Sequence, residues 1–192
     1  MKAVSTQAVP HLSPEQYLEI ERNAEFRSEY INGQMFAMSG GSIDHARIVR
    51  NALLRLDEQV RGKPCEALAS DLRLYSERHR VFTYPDILVT CGPDRFHDDR
   101  SDTITDATLI IEVLSPSTTN YDRGEKFVFY QSLPSFREYL LLAQKSIRAE
   151  HHSLQPDGSW LARTFTAPED GIELKSIDCS LQLGSLYDRV VF

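Results

Sequence analysis

The chain has 192 residues, of which 41% are hydrophobic and 26% charged, with a formal net charge of -7. This composition predicts one soluble globular domain. No apolar run approaches the roughly 20 residues that cross a bilayer, and the first dozen residues lack the apolar core of a signal peptide. We therefore expect a cytoplasmic protein without membrane contact. The acidic charge argues against non-specific affinity for nucleic acid, because phosphate binding depends on clustered Lys and Arg.

The three cysteines, Cys65, Cys91 and Cys179, are odd in number and far apart in the chain. This pattern supports neither a disulfide framework nor a zinc ribbon. Free cysteine behaves as a small hydrophobic residue, so we expect all three to be reduced and mostly buried.

The first helix has a clear start signal. Residues 1–11 are predicted to be flexible, and residues 12–192 to form a single domain. Ser13 can cap the first helix, with Pro14 as its first residue and Gln16 completing a capping box.

A β-hairpin is predicted over residues 26–38. Its turn is Asn32-Gly33, the dipeptide favoured in two-residue type I′ turns. With this turn, Glu29 pairs with Phe36 and shares a face with apolar residues. Glu29 is thus a carboxylate that points toward apolar neighbours.

The rest of the chain alternates strand and helix patterns. Ser42 can cap an amphipathic helix that ends near Gly62, and a polar loop rich in Asp occupies 92–106. This order predicts an α/β fold, with a mixed β-sheet flanked by α-helices. The predicted strands cover 67–75, 81–90, 109–114, 137–143, 147–154 and 160–165, and a further helix covers 121–132.

Two acidic residues interrupt apolar runs. Asp86 lies in Tyr84-Pro85-Asp86-Ile87-Leu88-Val89, and Glu112 lies in Leu109-Ile110-Ile111-Glu112-Val113-Leu114. A strand this apolar is buried on both faces, where an unpaired charge costs several kcal/mol, so each carboxylate needs compensation. The simplest shared compensation is a divalent cation that prefers oxygen ligands, Mg²⁺ or Mn²⁺.

Pro-Asp on one strand, followed twenty-six positions later by Glu on a buried strand, is the skeleton of the PD-(D/E)XK nuclease superfamily. The surrounding segments resemble more specifically the Uma-two family of restriction endonuclease-like proteins, formerly a domain of unknown function. The resemblance runs from about Ser13 to the C-terminus. The segments that carry it are Arg27-Ser28-Glu29-Tyr30-Ile31-Asn32-Gly33, Tyr84-Pro85-Asp86-Ile87, Glu112-Val113-Leu114-Ser115-Pro116-Ser117-Thr118 and Asp122-Arg123-Gly124-Glu125-Lys126.

The resemblance implies a restriction-endonuclease-like fold and a Mg²⁺- or Mn²⁺-dependent endonuclease that hydrolyses DNA by metal-activated water. Asp86 and Glu112 would be metal ligands, with the Val113 carbonyl as a third oxygen. The motif lysine is replaced by Leu114. In the family the lysine is thought to have moved to the following helix, which makes Lys126 its substitute.

Each additional candidate also has a structural interpretation. Lys126 lies four residues after Asp122, so the two could form a surface ion pair. Glu29 resembles an extra catalytic carboxylate of the superfamily, but it could instead pair with a buried Arg. His45 could line the site or merely cap and pack its helix, and Asp71 could be a solvated strand position.

Two other functions compete with the nuclease. A catalytically inactive binding or regulatory protein could retain the fold, acting as a homodimer, and the acidic charge favours this alternative. The carboxylates could also form a purely structural ion-pair network. Nucleases that cut both strands often pair two protomers, so the nuclease interpretation also leaves a homodimer open.

Overall fold

The computed structural model describes residues 11–69 and 71–192. Apart from residue 11, the predicted flexible segment 1–11 lies outside this part. No helix in it is both long enough and apolar enough to span a membrane. The elements are α1 (Pro14–Glu21), β1 (Ser28–Ile31), β2 (Gln34–Ala37), α2 (Ile43–Val60), β3 (Cys65–Ala69), β4 (Arg73–Ser76), β5 (Val81–Thr83), β6 (Ile87–Cys91), β7 (Thr103–Ile104), β8 (Leu109–Leu114), α3 (Thr119–Tyr121), a π-helical turn (Asp122–Lys126), α4 (Phe127–Gln131), β9 (Glu138–Ala143), β10 (Ala149–Leu154), β11 (Trp160–Phe165), β12 (Gly171–Leu174), β13 (Cys179–Gln182) and α5 (Leu183–Leu186).

The larger sheet has six strands in the order β11-β10-β9-β8-β6-β3. It is mixed, because β8 and β9 run parallel while the other neighbours are antiparallel. On one face, Ile48 and Leu56 of α2 pack with Ile111 of β8. On the other face, Tyr130 of α4 packs with Ile110. The predicted α/β architecture, a mixed β-sheet flanked by α-helices, is confirmed.

A second sheet has five strands in the order β2-β1-β5-β4-β7. Tyr17 and Leu18 of α1 pack against Tyr30 and Phe82 of this sheet. The early hairpin forms its edge, with Ile31 opposite Gln34 and Glu29 opposite Phe36, as predicted.

Local signals at the N-terminal half are also confirmed. Ser13 and Gln16 form both bonds of the capping box, and the Ser42 side chain caps α2. Asn32 and Gly33 have φ of 48° and 87°, the two positive values that a type I′ turn requires.

Two predicted strands each form two shorter strands, one in each sheet. The strand predicted at 67–75 bends near Asp71, so β3 joins the larger sheet and β4 the smaller one. The strand predicted at 81–90 breaks at Pro85 into β5 and β6. Proline has no N–H to donate to a ladder, so strand pairing stops there, and Asp86 lies between the two strands.

The helix predicted at 121–132 begins earlier, with α3, and contains the π-helical turn Asp122–Lys126. Two strands near the C-terminus, β12 and β13, were not predicted. They form a separate antiparallel pair whose residues alternate between buried and exposed.

The prediction of three reduced cysteines is wrong for two of them. Cys65 and Cys91 form a disulfide, while Cys179 is free and buried. The physical reason is strand register: β3 pairs antiparallel with β6, which sets Cys65 directly opposite Cys91.

Candidate functional site

Asp86 and Glu112 lie side by side where β6 and β8 pair. Ile87 is opposite Ile111 in this antiparallel ladder, so the two acids follow at the next position. The main chain fixes both side chains: the Asp86 N–H donates to Glu112 Oε2 over 3.2 Å, and the Val113 N–H donates to Asp86 Oδ2 over 2.7 Å. The two carboxylates are therefore held together by the strands themselves.

Lys126 lies at the centre of the site. Its Nζ is 3.0 Å from Glu112 Oε1, 3.1 Å from Glu29 Oε1 and 3.5 Å from Asp122 Oδ1. Only 8% of the Lys126 side chain is exposed, so the predicted surface pair with Asp122 is instead a buried contact. The structure thus brings together all four predicted catalytic residues, Glu29, Asp86, Glu112 and Lys126.

Burial and the charges of neighbouring groups shift the pKa values of the site residues. Burial raises the pKa of Glu112, and nearby carboxylates such as Asp86 raise it further, while Lys126 opposes both effects. Burial alone would lower the pKa of Lys126, but its carboxylate partners outweigh that effect and hold it well above the usual value. Burial also raises the pKa of Asp122. These raised pKa values mean that the site disfavours the charged forms of Glu112 and Asp122 even with Lys126 in contact with both.

His45 lines the site. Ser42 accepts a hydrogen bond from the His45 N–H over 3.1 Å, so His45 lies in the capped first turn of α2. His45 Nε2 lies 3.0 Å from Asp86 Oδ1, and this hydrogen bond raises the pKa of the imidazole. Of the two interpretations considered for His45, contact with the site is the one observed.

Of the two remaining candidates, Glu29 lies in the site and Asp71 lies outside it. Within residues 11–69 and 71–192, the ion-pair partner of Glu29 is Lys126 rather than a buried Arg, and the Tyr84 N–H donates to Glu29 Oε1 over 3.3 Å. Asp71 is exposed and pairs at the surface with Arg27, so the structure leaves it outside the site.

Two residues of the site were not predicted as such. Asp122 was considered only as an ion-pair partner, yet it is buried against Lys126. The Tyr130 hydroxyl is 2.8 Å from Glu112 Oε1 and 3.2 Å from Thr83 Oγ1. The spacing of Asp122, Lys126 and Tyr130, four residues apart along one helical stretch, was the available signal for a shared face.

The donor set has the chemistry of a site for a hard divalent cation. The site holds four carboxylates, from Glu29, Asp86, Glu112 and Asp122, of which all but Asp86 contact Lys126. Oxygen ligands are those that Mg²⁺ and Mn²⁺ prefer. In residues 11–69 and 71–192, no three His, Cys, Asp or Glu side chains are arranged as ready metal ligands. The contacts explain this, because Lys126 Nζ occupies the point on which three of the carboxylates converge.

Residues 14–184 match the model of the Uma2 family, described as "putative restriction endonuclease". The chain belongs to the Uma2 family. The resemblance expected from the sequence motifs is thereby confirmed.

Similar proteins include two from Synechocystis sp. (strain PCC 6803). The uncharacterised protein slr1290 is 38% identical over 185 residues, covering 95% of each chain. The uncharacterised protein sll1609 is 34% identical over 173 residues, covering 90% of this chain and 97% of the relative. A crystal structure from Anabaena variabilis, described as a putative nuclease, superposes with a TM-score of 0.76 at 16% identity. It covers 94% of this chain and 99% of the other. This likeness confirms the restriction-endonuclease-like fold.

Proposed function

We propose that this Uma2-family protein is a Mg²⁺- or Mn²⁺-dependent endonuclease that hydrolyses phosphodiester bonds in DNA. The observation that supports this proposal most is the excess of buried carboxylate around Lys126, at the strand pair that holds Asp86 and Glu112. Such an excess is costly unless a cation joins it. Membership in the Uma2 family, described as "putative restriction endonuclease", agrees with this chemistry.

Asp86 and Glu112 would hold the cation, with the Val113 carbonyl as a further oxygen donor. When bound, a divalent cation offsets charge on the scissile phosphate and lowers the pKa of water. His45 would orient Asp86, because its Nε2 lies 3.0 Å from Oδ1 of that carboxylate. Tyr130 would fix Glu112, because its hydroxyl donates to Oε1 of that carboxylate over 2.8 Å.

Lys126 would supply the positive charge that the motif lysine provides in the superfamily. The π-helical turn carries this side chain to the Glu112 carboxylate, so its position compensates for Leu114. An ammonium group at this point stabilises negative charge that develops on the phosphate and orients the attacking water. Glu29 and Asp122 would hold the ammonium group in place.

Metal-dependent cleavage tests the proposal. Wild-type protein is incubated with supercoiled plasmid and with DNA and RNA oligonucleotides, in Mg²⁺, in Mn²⁺ and in EDTA. We expect nicking or cutting of DNA that requires metal and disappears in Glu112→Gln. Glu125→Gln, an exposed acid beside Lys126 in the same turn, is the matched control and should retain activity. Full cleavage by Glu112→Gln would contradict the assignment.

A binding protein without turnover is the second candidate. The observation that favours it is that Lys126 and Tyr130 already engage Glu112, so the carboxylate is hydrogen-bonded without metal. Calorimetric titration with Mn²⁺ separates the two candidates: binding that Glu112→Gln removes supports the nuclease, and no binding supports the alternative. Sedimentation velocity tests whether the protein forms a homodimer, as nucleases that cut both strands often do.

A further inference from the structure

An exposed aromatic side chain lies beside the acidic site. Phe36 is 48% exposed, although phenylalanine is among the residues most often buried. Its strand, β2, is an edge of the five-stranded sheet in the described part of the chain, so the strand has no neighbour on its outer side.

The hairpin register places Phe36 next to the site. Phe36 is the cross-strand partner of Glu29, whose carboxylate contacts Lys126 at 3.1 Å. Side chains that oppose each other in an antiparallel pair lie on the same face, with Cβ atoms about 5 Å apart. Met38, 38% exposed, continues the same face two residues further on. We call Phe36 and Met38 the hairpin apolar patch.

The main chain holds this patch beside the site. The Met38 N–H donates to the Arg27 carbonyl over 2.8 Å, while the Arg27 guanidinium pairs with Asp71. Glu29 is turned inward to Lys126 and leaves the outer part of the face apolar. A nucleic-acid strand cleaved at the metal site would therefore place the bases next to the scissile phosphate within reach of Phe36.

We propose that Phe36 is a stacking platform for an unpaired base next to the scissile phosphate, so that the substrate is single-stranded or locally unpaired nucleic acid. This inference rests on the proposed function. Aromatic side chains bind single strands by stacking on the faces of bases, which does not depend on sequence. In a duplex those faces are covered by neighbouring bases. Stacking also suits a chain with a net charge of -7, since it does not depend on many phosphate contacts.

The test compares Phe36→Ala and Phe36→Trp with wild type. Binding is measured by quenching of 2-aminopurine fluorescence in a short single-stranded oligonucleotide with hydrolysis-resistant phosphorothioate linkages, and in the matching duplex. We expect Phe36→Ala to weaken single-strand binding about ten-fold, the order of one lost base–aromatic stack, and Phe36→Trp to preserve it. Phe96→Ala is the control, because Phe96 is similarly exposed but bridges Ile104 at the opposite edge of the sheet.

Cleavage of an unmodified single strand and duplex is measured in parallel. If wild type cuts neither the single strand nor the duplex, and Phe36→Ala alone loses single-strand binding, the stacking platform is supported. In that case only the nuclease proposal fails. If wild type cuts and Phe36→Ala binds and cuts as wild type does, the stacking proposal is overturned while the nuclease proposal stands. If Phe36→Ala instead converts a dimer into monomers, the patch is covered by a second copy and the proposal is overturned.

Discussion

Replacing Lys126 with Met removes the lysine ammonium that contacts the buried carboxylates of the site, while keeping a side chain of similar length. Three acids, Glu29, Glu112 and Asp122, then lose their ion-pair partner, and their side chains are no more than 10% exposed. Removing one partner of a buried ion pair costs about 3–5 kcal/mol, because the remaining charge stays buried and uncompensated. We expect Lys126→Met to lower the free energy of unfolding by that amount at neutral pH without metal.

The loss should depend on pH in a definite direction. Burial already raises the pKa of Glu112 above its unfolded value, and loss of Lys126, which lowers that pKa, raises it further. A carboxyl group with a raised folded-state pKa favours the fold when protonated. This contribution is present below the unfolded pKa and is lost as pH rises through the folded pKa. Lys126→Met should therefore be least stable at alkaline pH and recover part of its stability in mild acid.

Urea unfolding followed by circular dichroism measures both effects. Lys145→Met is the control, because Lys145 is exposed, and it should change stability by no more than about 0.5 kcal/mol. Addition of Mn²⁺ should stabilise Lys126→Met more than wild type, since a cation can replace the lost ammonium charge. If Lys126→Met without metal is as stable as wild type from mildly acid to alkaline pH, Lys126 does not compensate the buried carboxylates and this explanation is wrong.

Three further predictions concern the site and its frame. Because a carboxyl group must lose its proton to bind metal, the raised pKa of Glu112 predicts that the Mn²⁺-induced rise in melting temperature increases with pH; a pH-independent rise would contradict this. Tyr130→Phe removes a hydrogen bond to Glu112 and should cost about 1.5–3 kcal/mol in urea unfolding, whereas an unchanged midpoint would show that this bond is unimportant. Reduction of Cys65–Cys91, which spans 26 residues, should cost about 3.5 kcal/mol in the chain-entropy model; Cys179→Ser should leave the effect of reductant unchanged, and a protein insensitive to reductant would argue against the disulfide.

The parts of the fold that the sequence predicts correctly depend on local chemistry. The capping box at Ser13 and the turn at Asn32-Gly33 each need only a few adjacent residues. The pairing of Glu29 with Phe36 follows from the turn alone, because a two-residue loop fixes the register of its strands. Asp86 and Glu112 stand out because a charge inside an apolar strand is rare.

Two of the errors involve tertiary pairing. The assignment of β3 and β4 to different sheets depends on where each strand finds a partner, which no local pattern specifies. The disulfide depends on the register between β3 and β6, which sets Cys65 opposite Cys91.

Lys126 shows most clearly what the sequence alone does not predict. The four-residue spacing of Asp122 and Lys126 is the same for a surface pair and for a buried one. The buried pair differs from a surface pair by the packing of the helical stretch against Glu112 and by the π-helical turn, which no residue preference predicts. Family resemblance, rather than spacing, pointed to Lys126.

Anomalous diffraction from crystals soaked in Mn²⁺ tests the central claim most directly. The account predicts a single strong peak at bonding distance from carboxylate oxygens of both Asp86 and Glu112, and its absence from crystals of Glu112→Gln soaked in the same way. Absence of the peak from soaked wild-type crystals that keep the Lys126–Glu112 contact would contradict a metal centre at this site.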